Sequence, residues 1–376
     1  MDFGFSEEQE MLRESARGLL EKECPSAAVR RLMDDERGYD PALWKKMAEL
    51  GWTGLTIAEE FGGAALTYVD LALVMEEMGR ALLPSPFIWT AMAAEAIRRA
   101  GSDAQKRAIL PKIAAGEMIA AIAWMEPPGS WDAAGIKATA RESGGEFTLD
   151  GVKLFVNDGH LADLMIVAAR TGGAGEAGVT LFAIDARRRG VAVTPLKTMD
   201  QTRKLSEVRL EGVRAGANEA IGAIGGGWKT LAEVIDRGKV MIAAEMMGGA
   251  QKALEMSVEY AKLRVQFGRP IGSFQAVQHK CANMMVDVES AKSAVYYAAW
   301  AVSNESPEAP LAAALAKAAA SDAYRRVTAE AIQVHGGIGF TWDHDLQLYF
   351  KRAKSAEFTF GDAAWNRELV ARGINL

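Results

Sequence analysis

Two glycine-rich segments come closer to a chemical motif than the other residues of this chain. Gly225-Gly226-Gly227 directly precedes Trp228, and a second segment reads His335-Gly336-Gly337-Ile338-Gly339-Phe340. Glycines leave backbone N–H groups open to a phosphate, but they also let a helix begin or end. We interpret the first segment as a flexible entry to a long helix. For the second, an anion site and a helix C-terminus are both open.

Other catalytic patterns are absent from the sequence. It has no Ser-His-Asp signal, no phosphate loop of the Walker type and no dinucleotide fingerprint after a predicted strand. Cys24 and Cys281 are too few and too far apart for a disulfide framework or a zinc site, and the four histidines lack metal-ligand spacing. The sequence therefore predicts no metal centre.

Charge and hydropathy restrict the partners of the chain. Its 376 residues include 49 acidic and 43 basic side chains, so no basic field is available for nucleic acid or anionic lipid. Charged residues interrupt every apolar run before the roughly 18 to 20 residues of a membrane span. The first residues, MDFGFSEEQEML, lack the basic and then apolar regions of a secretory signal. We therefore expect a cytoplasmic protein that acts on small molecules.

The elements that must position these residues change in type along the chain. From Ser6 to Gly116 the apolar spacing is helical, and Ser6 with Gln9 predicts a capping box. Between about Ile119 and Gly216 the period is two, which predicts a small antiparallel sheet. Long helices are then predicted over 228–265, 275–303, 308–335 and 343–372. The predicted fold is mainly α with a small β domain, and its domains are 1–118 (helical), 119–222 (β) and 223–376 (helical bundle).

Several longer motifs follow one another in a fixed order. The helical part contains FGFSEEQEMLRESARGLLEKE and AELGWTGLTIAEEFGGAALTYVDLALVMEEMGRAL, and the sheet part contains AWMEPPGSWDAAGIKATA and LDGVKLFVNDG. The last part contains RVQFGRPIGSFQAVQHKCANM and QVHGGIGFTWDHDLQLYFKRAKS. In this order the motifs resemble the acyl-CoA dehydrogenase family along essentially the whole chain. The resemblance implies a helical N-terminal domain, a middle antiparallel β-barrel-like domain and a C-terminal four-helix bundle.

The resemblance also implies FAD as the cofactor and assigns residues to both of its ends. In the family, a neighbouring subunit meets the pyrophosphate and adenosine of FAD with a segment that matches Arg264, Gln266, Phe267, Phe274 and Gln275 here. A further segment from another protomer matches Gln333, Gly336 and Gly337. Because the cofactor is shared, the resemblance implies a tetramer built as a dimer of dimers.

The ring end of FAD and the substrate are assigned in the same way. Positions that contact the flavin ring match Trp124, Met125, Ser130, Phe155, Val156 and Asn157. Phe155 replaces a tryptophan that covers one face of the ring, and Asn157 replaces a threonine that meets flavin N5. Positions near the acyl-CoA match Trp131, Asp236 and Lys239. The implied activity is α,β-dehydrogenation of an acyl-CoA thioester, with electrons passed to an electron-transfer flavoprotein.

The residue that should act as the base is missing. In the family a glutamate removes the α-proton of the acyl-CoA while the β-hydrogen leaves as hydride to the flavin. That glutamate follows an Arg-Asp-Ala-Lys segment, and an ungapped count from Ala353-Lys354 to Gly361 places Phe360 at its position. Some relatives carry the base on the helix after the sheet, where this chain has Gly238. Neither residue can accept a proton.

Three hypotheses follow from the missing base. The chain could use another carboxylate, with Asp362, Glu357, Asp236 and Glu245 as candidates, although Asp362 could equally cap the next helix. It could instead be the base-free subunit of a heterotetramer whose second acyl-CoA dehydrogenase subunit carries the glutamate, as in family members that act on steroid side chains. The third hypothesis is a flavin monooxygenase on the same fold, which needs no α-proton base.

Overall fold

The first helix begins at the residue that the sequence predicts. In the structure, a computed structural model that describes residues 4–127 and 129–376, α1 spans Glu7–Glu23. The Ser6 hydroxyl accepts a hydrogen bond from the Gln9 N–H at 3.2 Å, and the Gln9 side-chain oxygen accepts one from the Ser6 N–H at 3.1 Å. The predicted capping box is confirmed.

Helices form most of the structure, as the sequence predicts. Within the described residues, the α-helices after α1 are α2 (Ser26–Asp34), α3 (Pro41–Glu49), α4 (Tyr68–Arg80), α5 (Phe87–Ala100), α6 (Asp103–Ala114), α7 (Gly227–Leu263), α8 (Gln275–Ser303), α9 (Ala309–His335), α10 (Leu346–Phe358) and α11 (Ala363–Gly373). No helix in residues 4–127 and 129–376 combines the length and the apolar character needed to cross a membrane.

In the middle of the chain, residues 120–127 and 129–221 contribute the strands of an eight-stranded sheet. Its strands are β1 (Ala120–Ala123), β2 (Thr139–Ser143), β3 (Glu146–Asn157), β4 (Leu164–Arg170), β5 (Val179–Asp185), β6 (Val191–Leu196), β7 (Leu205–Gly216) and β8 (Ala220–Ile221). They follow the order β6-β7-β3-β2-β4-β5-β8, and β1 pairs with β4. Buried apolar side chains from these strands, such as Phe147, Leu149 and Phe182, form the core of the sheet. The predicted fold class, mainly α with a small β domain, is confirmed.

Strand direction in this sheet is mixed. Most pairs are antiparallel, as predicted, but β1 lies parallel to β4, and β2 lies parallel to β4 through Thr139 and Arg170. The alternation of apolar and polar residues identifies a strand and its buried face, but it carries no information about direction. The parallel pairs therefore could not be predicted.

Two compact units alternate along the sequence. One comprises the chain up to Arg31, Thr67–Leu83 and Lys239–Leu376, and the other comprises Leu32–Leu66 and Pro84–Gly238. The sheet and the helices α3, α5 and α6 belong to the second unit, whereas α4 and α8 to α11 belong to the first. The three domains predicted from the sequence follow the order of the chain and differ from these two compact units. Their boundaries remain a prediction.

The single helix predicted over 343–372 is wrong. The structure has two helices there, and residues 359–362 separate α10 from α11. Within this turn Phe360 has a φ of 60° and Gly361 a φ of 87°, and a right-handed helix cannot pass through left-handed residues. Gly361 and the possible cap at Asp362 are sequence signals of this break, whereas Phe360 is not, because a phenylalanine seldom adopts a positive φ.

The glycine triplet at 225–227 forms the entry to α7, as we interpreted it from the sequence. The N–H of Gly225 donates to the Thr180 hydroxyl at 2.8 Å. A Cβ built on Gly227 would lie 2.9 Å from the backbone nitrogen of Leu181. The glycines therefore let the chain pack closely against β5 before the helix starts.

The helices α4 and α7 cross at glycines. A Cβ built on Gly79 of α4 would lie 1.9 Å from the carbonyl oxygen of Glu245, and one built on Gly248 of α7 would lie 1.8 Å from the carbonyl oxygen of Glu76. Since protein interiors are close-packed, the helices would have to separate to admit a methyl group. The crossing therefore requires glycine on both helices.

Alanine at either crossing glycine should destabilise the protein. We expect Gly79→Ala and Gly248→Ala each to lower the free energy of unfolding by about 1–3 kcal/mol or more, the usual cost of overpacking. The matched control is Gly18→Ala in α1, where nothing lies within 4 Å of the added Cβ. That change should raise stability by about 0.5–1 kcal/mol, because alanine favours a helix. Urea unfolding measures all three, and similar values for all three would contradict a close crossing.

Candidate functional site

A bulge interrupts β3 beside the residue that is predicted to cover the flavin. The register of β3 against β7 shifts between Lys153 and Val156, and Phe155 has a φ of 55° there. The bulge leaves Phe155 51% exposed, whereas Val156 is buried in the core of the sheet. An exposed aromatic side chain held on strained backbone offers a flat apolar surface to a ring system.

The segment after β1 lies against this part of β3. The carbonyl of Met125 accepts a hydrogen bond from the Leu154 N–H at 2.9 Å, and Trp124 and Met125 are both buried. The half-buried ring of Trp131 lies 6.0 Å from that of Trp124, tilted by 54°. The structure therefore brings together Trp124, Met125 and the strand that carries Phe155. Their contacts with FAD, and that of Trp131 with the substrate, remain predictions.

Ser130 and Asn157, the polar residues predicted at the ring, already have partners within the protein. The Ser130 hydroxyl donates to the Asp132 carboxylate at 2.7 Å, and the Asn157 amide donates to the carbonyl of Phe155 at 3.2 Å. An amide nitrogen carries two hydrogens. Asn157 can therefore stabilise the bulge and still donate to a ligand.

Of the residues predicted for the adenosine end, Gln266 and Phe267 lie on a hairpin between α7 and α8, and Arg264 directly precedes it. Its strands, β9 (Val265–Gln266) and β10 (Arg269–Pro270), pair antiparallel. The tip consists of Phe267 and Gly268, both with a positive φ, as a two-residue hairpin turn requires. Phe267 is 92% exposed. The hairpin therefore presents an aromatic ring to the outside of this unit.

The end of the hairpin opposite its tip packs against the residue before α8. The carbonyl of Arg264 accepts a hydrogen bond from the Ile271 N–H at 2.8 Å, and the Arg269 guanidinium lies 4.2 Å from the centre of the Phe274 ring. The side chains of Arg264, Gln266 and Gln275 are exposed. The structure thus places the predicted donors together on one short segment.

The second glycine-rich segment ends α9. Gly336 has a φ of 63°, and nothing lies within 4 Å of a Cβ built on Gly336 or Gly337. Gln333 is exposed one turn earlier. Both interpretations of this segment are therefore compatible with the structure: it is a helix C-terminus, and its open glycines leave room for the close approach of a ligand.

Aromatic contacts hold this helix end, and no sequence pattern predicts them. The His335 ring stacks on Tyr260, with 4.4 Å between the ring centres and 22° between the planes. His335 Nδ1 lies 2.8 Å from the carbonyl oxygen of Ala331. Burial lowers the pKa of His335, and the nearby His344 lowers it further. Burial therefore favours the neutral form of the imidazole.

The position of the missing base lies in the turn between α10 and α11. Phe360 is only 3% exposed. The Asn366 amide nitrogen lies 3.2 Å from the carbonyl oxygen of Phe360 and 2.9 Å from that of Gly361. The structure therefore shows a buried, apolar side chain on a turn whose carbonyl groups are held from α11.

A buried lysine that sequence reasoning missed holds the same turn. The ammonium group of Lys317, on α9, donates to the carbonyl oxygens of Glu357 and Gly361 at 3.1 Å each and to the Ser321 hydroxyl at 2.8 Å. The side chain is fully buried, and burial lowers the pKa of Lys317 to about 7. In the sequence this lysine is only one polar residue in an alanine-rich helix.

Lys317 should make stability depend on pH. Because its pKa falls from 10.5 to about 7 on folding, the unfolded chain binds more protons here between these pH values. The free energy of unfolding should therefore rise with pH across that window, by about 2–3 kcal/mol from pH 7 to 9.5. Below pH 7 the destabilisation caused by burying the charged Lys317 should be greatest and nearly constant. Urea unfolding of the wild type and of Lys317→Met at pH 6.5, 8 and 9.5 measures it. A difference between the two proteins that does not change with pH would refute it.

Asp362, one of the candidate bases, caps α11. Its carboxylate accepts a hydrogen bond from the Trp365 N–H at 2.8 Å, which is the structural role that the sequence left open. We expect Asp362→Asn, which keeps an N-cap acceptor, to change the free energy of unfolding by only a few tenths of a kcal/mol. Asp362→Ala should lower it by about 0.5–2 kcal/mol. If Asp362 were the base, Asp362→Asn would instead abolish flavin reduction by acyl-CoA while stability stayed unchanged.

Two of the other candidate carboxylates are ion-paired. Glu357 accepts from the Lys354 ammonium group at 2.7 Å, and the buried Glu245 pairs with the buried Arg352. In each pair the cation holds the carboxylate in a structural contact. Neither group is therefore well placed to act as a proton acceptor.

The remaining predicted residues lie on α7. Asp236 is half-buried, whereas Gly238 and Lys239 are buried. Arg237, between them, pairs with the buried Glu95 of α5 at 2.9 Å. This ion pair fixes the rotation of the first turns of α7. The proximity of Asp236 and Lys239 to a substrate remains a prediction.

Known proteins match the chain over almost its full length. Family models described as the N-terminal, middle and C-terminal domains of acyl-CoA dehydrogenase match residues 6–117, 121–213 and 225–375. The acyl-CoA dehydrogenase IpdE2 of Mycolicibacterium smegmatis is 38% identical, and the match covers 95% of each chain. The chain belongs to the acyl-CoA dehydrogenase family, whose members are FAD-dependent oxidoreductases that act on acyl-CoA.

Solved structures agree with this assignment. Butyryl-CoA dehydrogenase from Megasphaera elsdenii has a TM-score of 0.92 and 29% identity, and the match covers 100% of both chains. A chain of the ChsE4-ChsE5 complex from Mycobacterium tuberculosis has a TM-score of 0.90 and 28% identity, and the match covers 100% of this chain and 99% of that one.

The described residues fit FAD in their chemistry. In one unit, the exposed guanidinium of Arg264 suits a pyrophosphate, and Gly336 and Gly337 leave open space for one. In the other unit, the exposed ring of Phe155 suits the flat flavin. FAD, when bound, supplies the acceptor for a hydride.

Proposed function

We propose that this chain is the base-free subunit of an acyl-CoA dehydrogenase made of two different chains. In this arrangement the second chain supplies the glutamate that removes the α-proton, and the assembly converts an acyl-CoA to its enoyl-CoA. One observation carries the proposal: the base position holds Phe360, which is 3% exposed and cannot accept a proton.

The other carboxylates near the base position support this choice over a substitute base. Asp362 caps a helix, Glu357 pairs with Lys354, and Glu245 pairs with Arg352. A carboxylate with one such partner keeps other lone pairs, but it acts as a general base only where it lies within reach of the proton that it removes. Each of these carboxylates has a structural partner, so recruiting one would cost that interaction.

The residues retained for the cofactor support a role in a shared site. Arg264, Gln266 and Gln333 remain exposed donors, and in the family such residues serve the FAD of a neighbouring subunit. A chain without a base can therefore still complete the FAD site in which its partner's glutamate works. The likeness to a chain of the ChsE4-ChsE5 complex is consistent with a partner of the same family.

The residues of this chain would serve two different FAD molecules. Arg264 would neutralise the pyrophosphate of the FAD whose ring lies beside the partner's glutamate. Phe155 would stack on a flavin ring held by this chain itself, next to which Asp236 and Lys239 would contact an acyl-CoA. Gly238 adds no side chain at the alternative base position, which favours a bulky or branched acyl group. We expect an electron-transfer flavoprotein to take up the electrons.

Coexpression tests the proposal. The chain would be coexpressed with an acyl-CoA dehydrogenase chain of the same organism that carries the glutamate, and the FAD content and acyl-CoA oxidation of the purified assembly would be measured. We expect a stable complex that is active, and Arg264→Ala in this chain should lower both FAD content and activity. Failure of the two chains to copurify would overturn the proposal. NADH-dependent oxygen uptake by this chain alone would instead indicate a monooxygenase.

A further inference from the structure

A buried ion pair lies directly behind the residues that are predicted to hold the flavin ring. Glu126 and Lys153 are 6% and 0% exposed, and the Lys153 ammonium group donates to the Glu126 carboxylate. Burial lowers the pKa of Lys153, and the opposite charge of Glu126 counteracts this effect. Such a pair contributes little net stability compared with an apolar pair, so a different benefit is needed to explain it.

The pair connects four segments of the sheet. The Glu126 carboxylate accepts from the N–H of Lys137 at 2.9 Å and from that of Ala138 at 3.0 Å. Lys153 also donates to the carbonyl oxygen of Ala168 on β4. The segment after β1, the start of β2, and strands β3 and β4 therefore meet at one pair of charges.

Both members of the pair are close in sequence to the predicted ring contacts. Glu126 directly follows Trp124 and Met125, and Lys153 lies two residues before Phe155 at the edge of the bulge. The hydrogen bond from the Leu154 N–H to the Met125 carbonyl joins the two segments next to the ion pair. Any movement of either charged side chain would thus be transmitted to the backbone on which Phe155 and Met125 sit.

We propose that Glu126 and Lys153 are positioning residues for FAD, because they fix the segment of Met125 against the bulge of Phe155 before the cofactor binds. A binding site must be held within about 0.5 Å of its productive geometry by the residues behind it. The proposal depends on the family's cofactor and not on which chain supplies the base.

The test is a neutral double variant, Glu126→Gln/Lys153→Met, made in the full chain as it is purified. We expect it to fold, because glutamine still accepts from the N–H groups of Lys137 and Ala138. Its affinity for FAD should fall by about 10- to 100-fold, by analogy with the loss of metal affinity when the hydrogen-bond partners of metal ligands are removed. The fluorescence of any bound flavin should be less quenched than in the wild type.

The matched control is Glu146→Gln/Arg214→Met, which removes an exposed ion pair between β3 and β7 of the same sheet. It should leave FAD affinity and flavin fluorescence unchanged. Adding Phe155→Ala to the wild type and to Glu126→Gln/Lys153→Met tests whether the ion pair acts through Phe155. If it does, Phe155→Ala should lower FAD affinity less in the Glu126→Gln/Lys153→Met background than in the wild type. A double variant that binds FAD as the wild type does would overturn the proposal.

Hydrogen exchange of the wild-type protein without FAD decides the question even if the variant does not fold. We expect the N–H groups of Lys137, Ala138 and Leu154 to be protected already in the apoprotein, since the pair holds these segments in advance. Exchange at the rate of an unstructured peptide, with protection only after FAD is added, would show that the cofactor and not the ion pair orders the site.

Discussion

Phe360→Glu is expected to give the isolated chain a dehydrogenase half-reaction that the wild type lacks. With FAD reconstituted and oxygen excluded, addition of acyl-CoA should bleach the flavin of the variant at least about 100-fold faster, because a positioned general base contributes 10²- to 10⁴-fold. Phe360 is buried on a turn that Lys317 and Asn366 already hold. The new carboxylate would thus occupy a fixed position.

The backbone does not forbid this substitution. Position 360 has a φ of 60°, which is strained for any residue with a side chain, so glutamate and phenylalanine bear a similar cost. Burial should raise the pKa of the introduced carboxyl group, and bleaching should therefore become faster as the pH rises. Phe360→Gln, with the same shape and no charge, is the control. Equal bleaching of the Glu and Gln variants would refute the assignment of position 360.

Arg352→Met should be strongly destabilising. Arg352 stands where the family's Arg-Asp-Ala-Lys segment has an aspartate, and it is buried together with Glu245 on α7. Removing the guanidinium leaves the Glu245 carboxylate in the core without this partner, at a cost of about 3–5 kcal/mol. Urea unfolding at neutral pH measures the change.

The double variant Glu245→Met/Arg352→Met separates the ion pair from the packing around it. Since a buried ion pair can often be replaced by apolar side chains of similar size, most of the stability lost in Arg352→Met should return in the double variant. If the double variant were as unstable as the single one, the loss would come from packing around Arg352, and its pairing with Glu245 would not be the cause.

Local signals predicted much of the fold. The capping box of Ser6 and Gln9 located the start of α1, and the long periodic segments located α7, α8 and α9 to within about two residues. Such features depend on neighbours three or four residues apart, which the sequence displays directly. The segment of Arg264 and Phe267 was assigned to the cofactor only through its resemblance to a family motif, and its hairpin was not predicted.

Other features depend on contacts between residues distant in sequence and could not be predicted. The parallel pairing of β1 with β4, the pairing of Glu126 with Lys153 and the hydrogen bonds from Lys317 to the turn at Gly361 all join separate segments. The prediction of one helix missed the break between α10 and α11 despite Gly361 and the cap at Asp362, because helical spacing continues on both sides of the left-handed Phe360.

The most direct measurement is anaerobic titration of the isolated wild-type chain, reconstituted with FAD, with a panel of acyl-CoA thioesters. We predict that none of them bleaches the flavin absorbance near its visible maximum, whereas at least one bleaches the flavin of the Phe360→Glu variant in the same titration. Bleaching of the wild-type flavin by an acyl-CoA, with formation of the enoyl-CoA, would show that this chain carries its own base and would contradict the proposed division of labour between two chains.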